Sequence, residues 1–311
     1  MSIGYWERVQ KAGFEVPSDR PLDELTAELT AMLGSTRPEV RDGTAFPALA
    51  TWIANGVYDD LLAGLGDGMV AGLSVGVGED GTDSVFRRSF SALILGACIE
   101  RDNERHLLPG AKILEWGDRA MTWFLTERDN AEHLMTASKI MDWGDRIAVW
   151  FLAEVDTRGF VPGKGWAHTV AHGADTLGAL AESPHLAGPE HTVLLDIVAE
   201  RLLDQPADAP LASGEPDRLA AAVMQVLRRN TLGVDALEPW VHRIGAAANP
   251  HRGPDDHDPY ALTAAPQAFP RALFLHLSLG HEPPAVRPDL LLVVIEALRV
   301  TNAPYLRVDT R

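Results

Sequence analysis

The sequence predicts an all-α protein, an α-α superhelix of antiparallel helical hairpins, and three observations carry that prediction. Apolar residues recur at the helical period along nearly the whole chain. No run of alternating β-branched residues stands out as a strand. The breaks between periodic segments are short and rich in Gly, Pro and Asp, so successive helices fold back on one another.

The elements follow in order. In residues 21–33, Leu22, Leu25, Leu29, Met32 and Leu33 make one face, with Pro21 admitted in the first turn and Gly34 as the stop. Residues 57–73 repeat the pattern. The segment 84–102 starts after the capping cluster Thr82, Asp83 and Ser84 and turns Val85, Phe86, Phe90, Leu93, Ile94 and Ala97 to one side. Helices are further expected at about 110–127, 141–155, 166–183, 190–204, 217–229, 234–247, 268–279 and 288–300. The chain reads as a single helical domain over 1–311, with one weak boundary in the loop 205–216.

Two stretches resemble each other at an offset of 27 residues: ILEWGDRAMTWFLTERD from Ile113 and IMDWGDRIAVWFLAEVD from Ile140. Each places two tryptophans seven apart, Trp116 with Trp123 and Trp143 with Trp150, and an acid four further on, Glu127 or Glu154, on the same face. If the connector NAEHLMTASK is a returning helix, the copies run parallel; if it is a turn, they are antiparallel neighbours. Aromatic residues at this spacing fill a core or line a ligand cage.

Composition excludes several function classes. The 44 acidic residues against 27 basic ones leave a net charge of −17, and no basic cluster exceeds the pairs Arg87–Arg88 and Arg228–Arg229. Nucleic acid and anionic membrane surfaces are therefore not expected partners, whereas cations are favoured. The start MSIGYWERVQ has no secretory pattern and no long uncharged apolar run occurs, so a cytoplasmic location is expected. Cys98 lies in an apolar run and is expected buried and inert. The glycines of GVGEDG fit a dinucleotide spacing, but no strand precedes them and Glu79 and Asp80 would repel a pyrophosphate.

The stretch GWAHTVAHGAD carries His168, His172 and Asp175, which fall within about 60° of one another on a helical wheel. The core face of the expected helix 166–183 is Trp166, Val170, Ala174, Leu177 and Ala181, with Glu182 just beside the polar stripe. No Lys or Arg is present there, and the small residues admit close neighbours, so the stripe is expected to be enclosed. Three readings stand: a divalent metal held by His168, His172 and Asp175, a hydrogen-bonded trio, or a solvated face. Thr169 follows His168, so the glutamate of a helical zinc protease is missing.

Ahead of this helix, Glu154, Asp156 and Arg158 are candidate catalytic residues, and Lys164, Trp166 and Trp150 candidate substrate-pocket residues; a plain Asp156–Arg158 turn with an exposed lysine is the competing reading. The loop 251–258 gathers His251, Asp255, Asp256, His257 and Asp258 as outside donors or as a solvated acidic loop. The segment EVDTRGFVPGKGWAHTVAHGAD, Glu154 to Asp175, resembles the signature of a bacterial family of helical proteins catalogued as a domain of unknown function. The resemblance implies a fold akin to HEAT or armadillo repeats and no reaction. The 113–129 copy lacks the Arg-Gly and His elements and is left out of the site.

Together these features lead to an expected pocket for a small molecule or a divalent metal cofactor, centred on His168, His172 and Asp175, with metal-assisted hydrolysis as one chemistry open to it. The other reading is a noncatalytic scaffold that binds a partner protein on a concave face.

Overall fold

The computed structural model describes residues 3–105, 133–204, 210–248 and 258–306. The expected helix 110–127, the repeat copy with Trp116, Trp123 and Glu127, residues 205–209 of the expected loop, and His251, Asp255, Asp256 and His257 lie outside them.

The described chain is all-α apart from one two-stranded hairpin. The first helices are α1 (Ile3–Lys11), α2 (Leu22–Met32) and α3 (Pro38–Val40), which passes through a π-helical turn at Arg41–Ala45 into α4 (Phe46–Ala54). Pro21 stands one residue ahead of α2, where its missing N–H costs no helical hydrogen bond. Next come α5 (Leu62–Leu73) and α6 (Ser84–Arg105). The hydroxyls of Thr82 and Ser84 both donate to the Glu79 carboxylate, at 2.9 and 2.8 Å, closing the loop ahead of α6. In α7 (Ala137–Ala153), the Thr136 hydroxyl caps the first turn by accepting from the Lys139 N–H. The remainder is α8 (Thr169–Glu182), α9 (Gly188–Leu203), α10 (Glu215–Arg228), α11 (Val234–Ala247), α12 (Pro259–Leu279), α13 (Arg287–Thr301) and α14 (Ala303–Leu306).

One expectation is corrected between α7 and α8. The helix expected from residue 166 begins at Thr169, and Trp166 belongs to a hairpin of β1 (Phe160–Val161) and β2 (Gly165–Trp166), with Phe160 opposite Trp166. The cause is local. Pro162 presets the first corner of the turn and Gly163 takes a positive φ of 75° at the second, so the Lys164 N–H closes onto Val161 O at 3.0 Å. Gly165 and His168 are also in the left-handed region, which no α-helix continues through.

The helices alternate between two layers. In one, α4, α6, α8, α10 and α12 lie side by side; in the other, α5, α7, α9, α11 and α13 do. Neighbours within a layer run parallel: Thr176 of α8 donates to Ala92 O of α6, and further along both helices Asn103 donates to Ala179 O. The core fills the space between the layers and includes Trp52, Trp143, Phe151, Phe269 and Cys98, whose thiol burial pushes up. Among the described residues no helix is long and apolar enough to cross a membrane.

The tryptophans of the described repeat copy pack in this core. Trp143 is fully buried over Gly66 of α5 and donates from its indole nitrogen to Asp67 at 2.8 Å. A Cβ at position 66 would overlap the Trp143 ring. Gly66→Ala is therefore expected to lower stability by about 1–3 kcal/mol through overpacking, read as a lower urea midpoint; an unchanged midpoint would show that Trp143 moves aside freely.

Candidate functional site

Glu154 ends α7 in the interior, 2% exposed, where Arg88 of α6, itself without exposed surface, meets it in a bidentate pair at 2.5 and 2.9 Å. The remaining guanidinium donor, Arg88 Nη1, serves Val75 O, Gly76 O and the Ser84 hydroxyl, while Glu154 also accepts from the Trp150 indole and the Asp156 N–H. Asp156, equally buried, holds Arg158 at 2.8 and 2.6 Å and accepts from the Gly81 N–H. Its carbonyl takes the Thr169 hydroxyl at the start of α8. Trp150 sits in the core, Lys164 pairs with Asp83 at 2.5 Å on the surface, and Arg41 braces the hairpin by donating to Lys164 O at 2.8 Å. The six charged and aromatic side chains ahead of α8 thus bind one another, the core or the surface. The turn read as the competing possibility, Asp156 with Arg158, is present.

The polar stripe takes three separate partners. His168 stacks on the exposed Trp166 ring at 4.2 Å, and its Nε2 lies 3.9 Å from a carboxylate oxygen of buried Glu215. Ser89 donates to Ala167 O, so its oxygen accepts from the protonated Nδ1 of His172 at 2.7 Å, which fixes the tautomer of that ring. Asp175 forms an ion pair with Arg218 of α10. Burial lowers His168 and, more strongly, His172, which falls to about 3; burial raises Asp175 against the opposing pull of Arg218.

Asp175 also opens onto a groove of about 480 Å³ that crosses the outer face of α4, α6, α8 and α10. Small residues make its floor, Ala50, Gly96, Ala97, Ala174, Gly178 and Ala222, which let the four helices approach closely. Its rim carries Glu100, Glu104, Asp175 and Glu182 together with Arg101 and Arg218. Arg101 is turned to Asp59, at 2.9 and 2.8 Å. Glu100 is raised first by loss of water and then by the charges of Glu182, Asp175 and Glu104, although the side chain reaches solvent along the groove. Glu182 is raised as well, by loss of water, with Arg228 and Arg229 pulling the other way.

A third cluster lies at the far end of α6. Asp102, His133 and His185 lie close enough together to hold a metal ion, their ligand atoms all within 4.8 Å of one another. Among the described residues they are the group of three that does so. They come from the end of α6, the segment before α7 and the α8–α9 turn.

Residues 73–130 and 126–275 match a family described as "Protein of unknown function (DUF2785)", which covers more than half of the chain. The chain belongs to the DUF2785 family. No curated protein and no solved structure matches it. All of Glu154 to Asp175, and all three members of the Asp102 cluster, fall within the DUF2785 match. Sequence reasoning missed Glu215, Arg88, Ser89 and that cluster, because each is brought to its partner by contacts between distant helices, and no local spacing announces them.

The depressed imidazole gives a prediction. Folded protein keeps His172 neutral down to about pH 3, while an unfolded chain protonates it near 6.5, so stability falls as pH drops below about 6.5, by up to about 1.4 kcal/mol per unit. His172→Asn keeps a donor toward Ser89 and does not titrate. Urea unfolding at pH 7 and pH 5 is expected to show a smaller loss in this variant than in the parent protein; equal losses would contradict a neutral buried His172.

Proposed function

We propose that this chain is a binding protein whose groove across α4, α6, α8 and α10 takes a small organic cation, an amine or guanidinium on a narrow aliphatic body. The observation that carries the reading is the set of four carboxylates on one groove of about 480 Å³, with Glu100 surrounded by the like charges of Glu182, Asp175 and Glu104. A cation placed there replaces repulsion with attraction at a partly dewatered site, where charge pairs count for more than on open surface. The volume lies in the range of small-molecule pockets, and the Ala and Gly floor suits a thin apolar body. The acidic balance of the whole chain favours cation encounter and disfavours nucleic acid. Alternating layers of helices support the reading as a single superhelical array of the HEAT or armadillo kind, in which such a groove is the concave face.

Calorimetry with spermidine as the probe tests this. Glu100→Gln and Glu182→Gln are each expected to weaken binding about fivefold, near 1 kcal/mol per ion pair. No binding at millimolar spermidine, or affinity indifferent to both substitutions, overturns the proposal; capture of a basic peptide in place of the amine would assign the groove to a protein partner.

A second reading, acid–base chemistry at His168, is favoured by its left-handed backbone, φ 51°, and by a buried Nε2 that makes no hydrogen bond and faces Glu215. Glu215 raises His168 against the lowering by burial. Glu215→Gln is therefore expected to move the His168 titration, followed by NMR, further down; an unmoved titration would separate the two residues and remove this reading.

A further inference from the structure

We infer that Asp102, His133 and His185 form a binding site for a divalent first-row transition ion, separate from the groove, that fastens the α8–α9 turn and the start of α7 to the end of α6. The argument begins with Asp102. Its side chain has no exposed surface, and Oδ1 is satisfied by the Met135 N–H at 2.8 Å. The other oxygen, Oδ2, is buried with no hydrogen-bond donor. A carboxylate oxygen in that state forfeits its hydration without replacement, a cost that proteins offset with a donor, an ordered water or a bound cation.

Both imidazoles face that same atom. His133 Nδ1 lies 4.0 Å and His185 Nε2 3.8 Å from Asp102 Oδ2, too far for hydrogen bonds, and the two side chains are only 6% and 11% exposed. Ligands of a tetrahedral ion with bonds near 2.0–2.1 Å stand about 3.4 Å apart, and the three ligand atoms here, all within 4.8 Å of one another, draw in to that spacing by side-chain rotation. The Met135 hydrogen bond orients the carboxylate as an outer-shell partner does in metal sites.

The donor set decides the class of ion. Two imidazoles and one carboxylate suit zinc, iron or manganese, while calcium and magnesium demand more oxygen ligands than the cluster offers. The three ligands come from three segments that no single hairpin unites, so one ion joins both layers at this end of the array. Its main effect is therefore on stability and on the placement of the α8–α9 turn.

The test uses the full chain, stripped with chelator and dialysed, then titrated with Zn²⁺ by calorimetry and with Co²⁺ as a visible-absorption probe. One ion per chain and a higher melting midpoint are expected. Asp102→Asn and His185→Gln are each expected to weaken Zn²⁺ at least about 100-fold, the upper end of what losing only an outer-shell partner costs, and to abolish the Co²⁺ band. The His185 substitution sits in a turn, so it keeps the test open if Asp102→Asn does not fold. No stoichiometric binding to the parent chain, or binding retained in both variants, overturns the site. Spermidine binding in the groove is expected to survive in His185→Gln, so failure of either proposal is visible independently of the other.

Discussion

The buried pair of Arg88 and Glu154 is the constraint on which the centre of the molecule depends. Removing two full charges from water is expensive, and the attraction between them repays it only when every donor and acceptor is satisfied. Here the guanidinium is spread over Glu154, two loop carbonyls and Ser84, and the carboxylate over Arg88, Trp150 and the Asp156 N–H. Those partners come from the loop after α5, the first turn of α6, the end of α7 and the stretch that follows it. The pair therefore fixes at once where the loop after α5 runs, where α7 ends and how the chain turns toward α8. Arg201 of α9 adds to this by donating to Phe151 O and Glu154 O, carbonyls that the end of α7 leaves without helical partners.

From that fixed point the chemistry of α8 follows. Asp156 receives the Thr169 hydroxyl through its carbonyl, the hairpin sets His168 outside the helix, and Ser89 fastens both Ala167 O and His172. Because α8 is mostly Ala, Gly, Thr and Leu, it nests between α6 and α10 with little thickness of side chain, and the groove forms over the small residues. Among the carboxylates on the rim, loss of water and the like charges of its neighbours raise Glu100.

Much of this was legible in the sequence, and the reasons for the rest are physical. Periodicity located the helices, because a 3.6-residue apolar repeat is a local property: residues 234–247 were read with the bounds the structure gives. The hairpin was missed because two-residue strands have no period, although Pro162 and Gly163 announced its turn. His168, His172 and Asp175 share a stripe only if all three are helical, and His168 is not. The charges of Glu154, Asp156 and Arg158 read equally well as catalysts or as a turn; the structure shows the turn pair, but the burial of Glu154 depends on Arg88 sixty-six residues away, and a linear pattern holds no record of it.

The last turns of α6 show how one helix serves both the groove and the metal cluster. Successive residues of a helix are about 100° apart, so Glu100 and Glu104 share one side and Asp102 points to nearly the opposite one. The structure follows this geometry: Glu100 and Glu104 edge the groove, and Asp102 is buried among His133 and His185. Asn103, which lies between the two sets and donates to Ala179 O, locks the register of α6 against α8, and an ion held by Asp102 and His185 adds a second tie between the same two helix ends. Glu182 closes α8 just before the turn that carries His185. Two of the groove's acids, Glu100 and Glu182, therefore stand on helix ends that Asn103 already holds together, so the open side of α6 keeps its charges in place whether or not the buried side holds an ion.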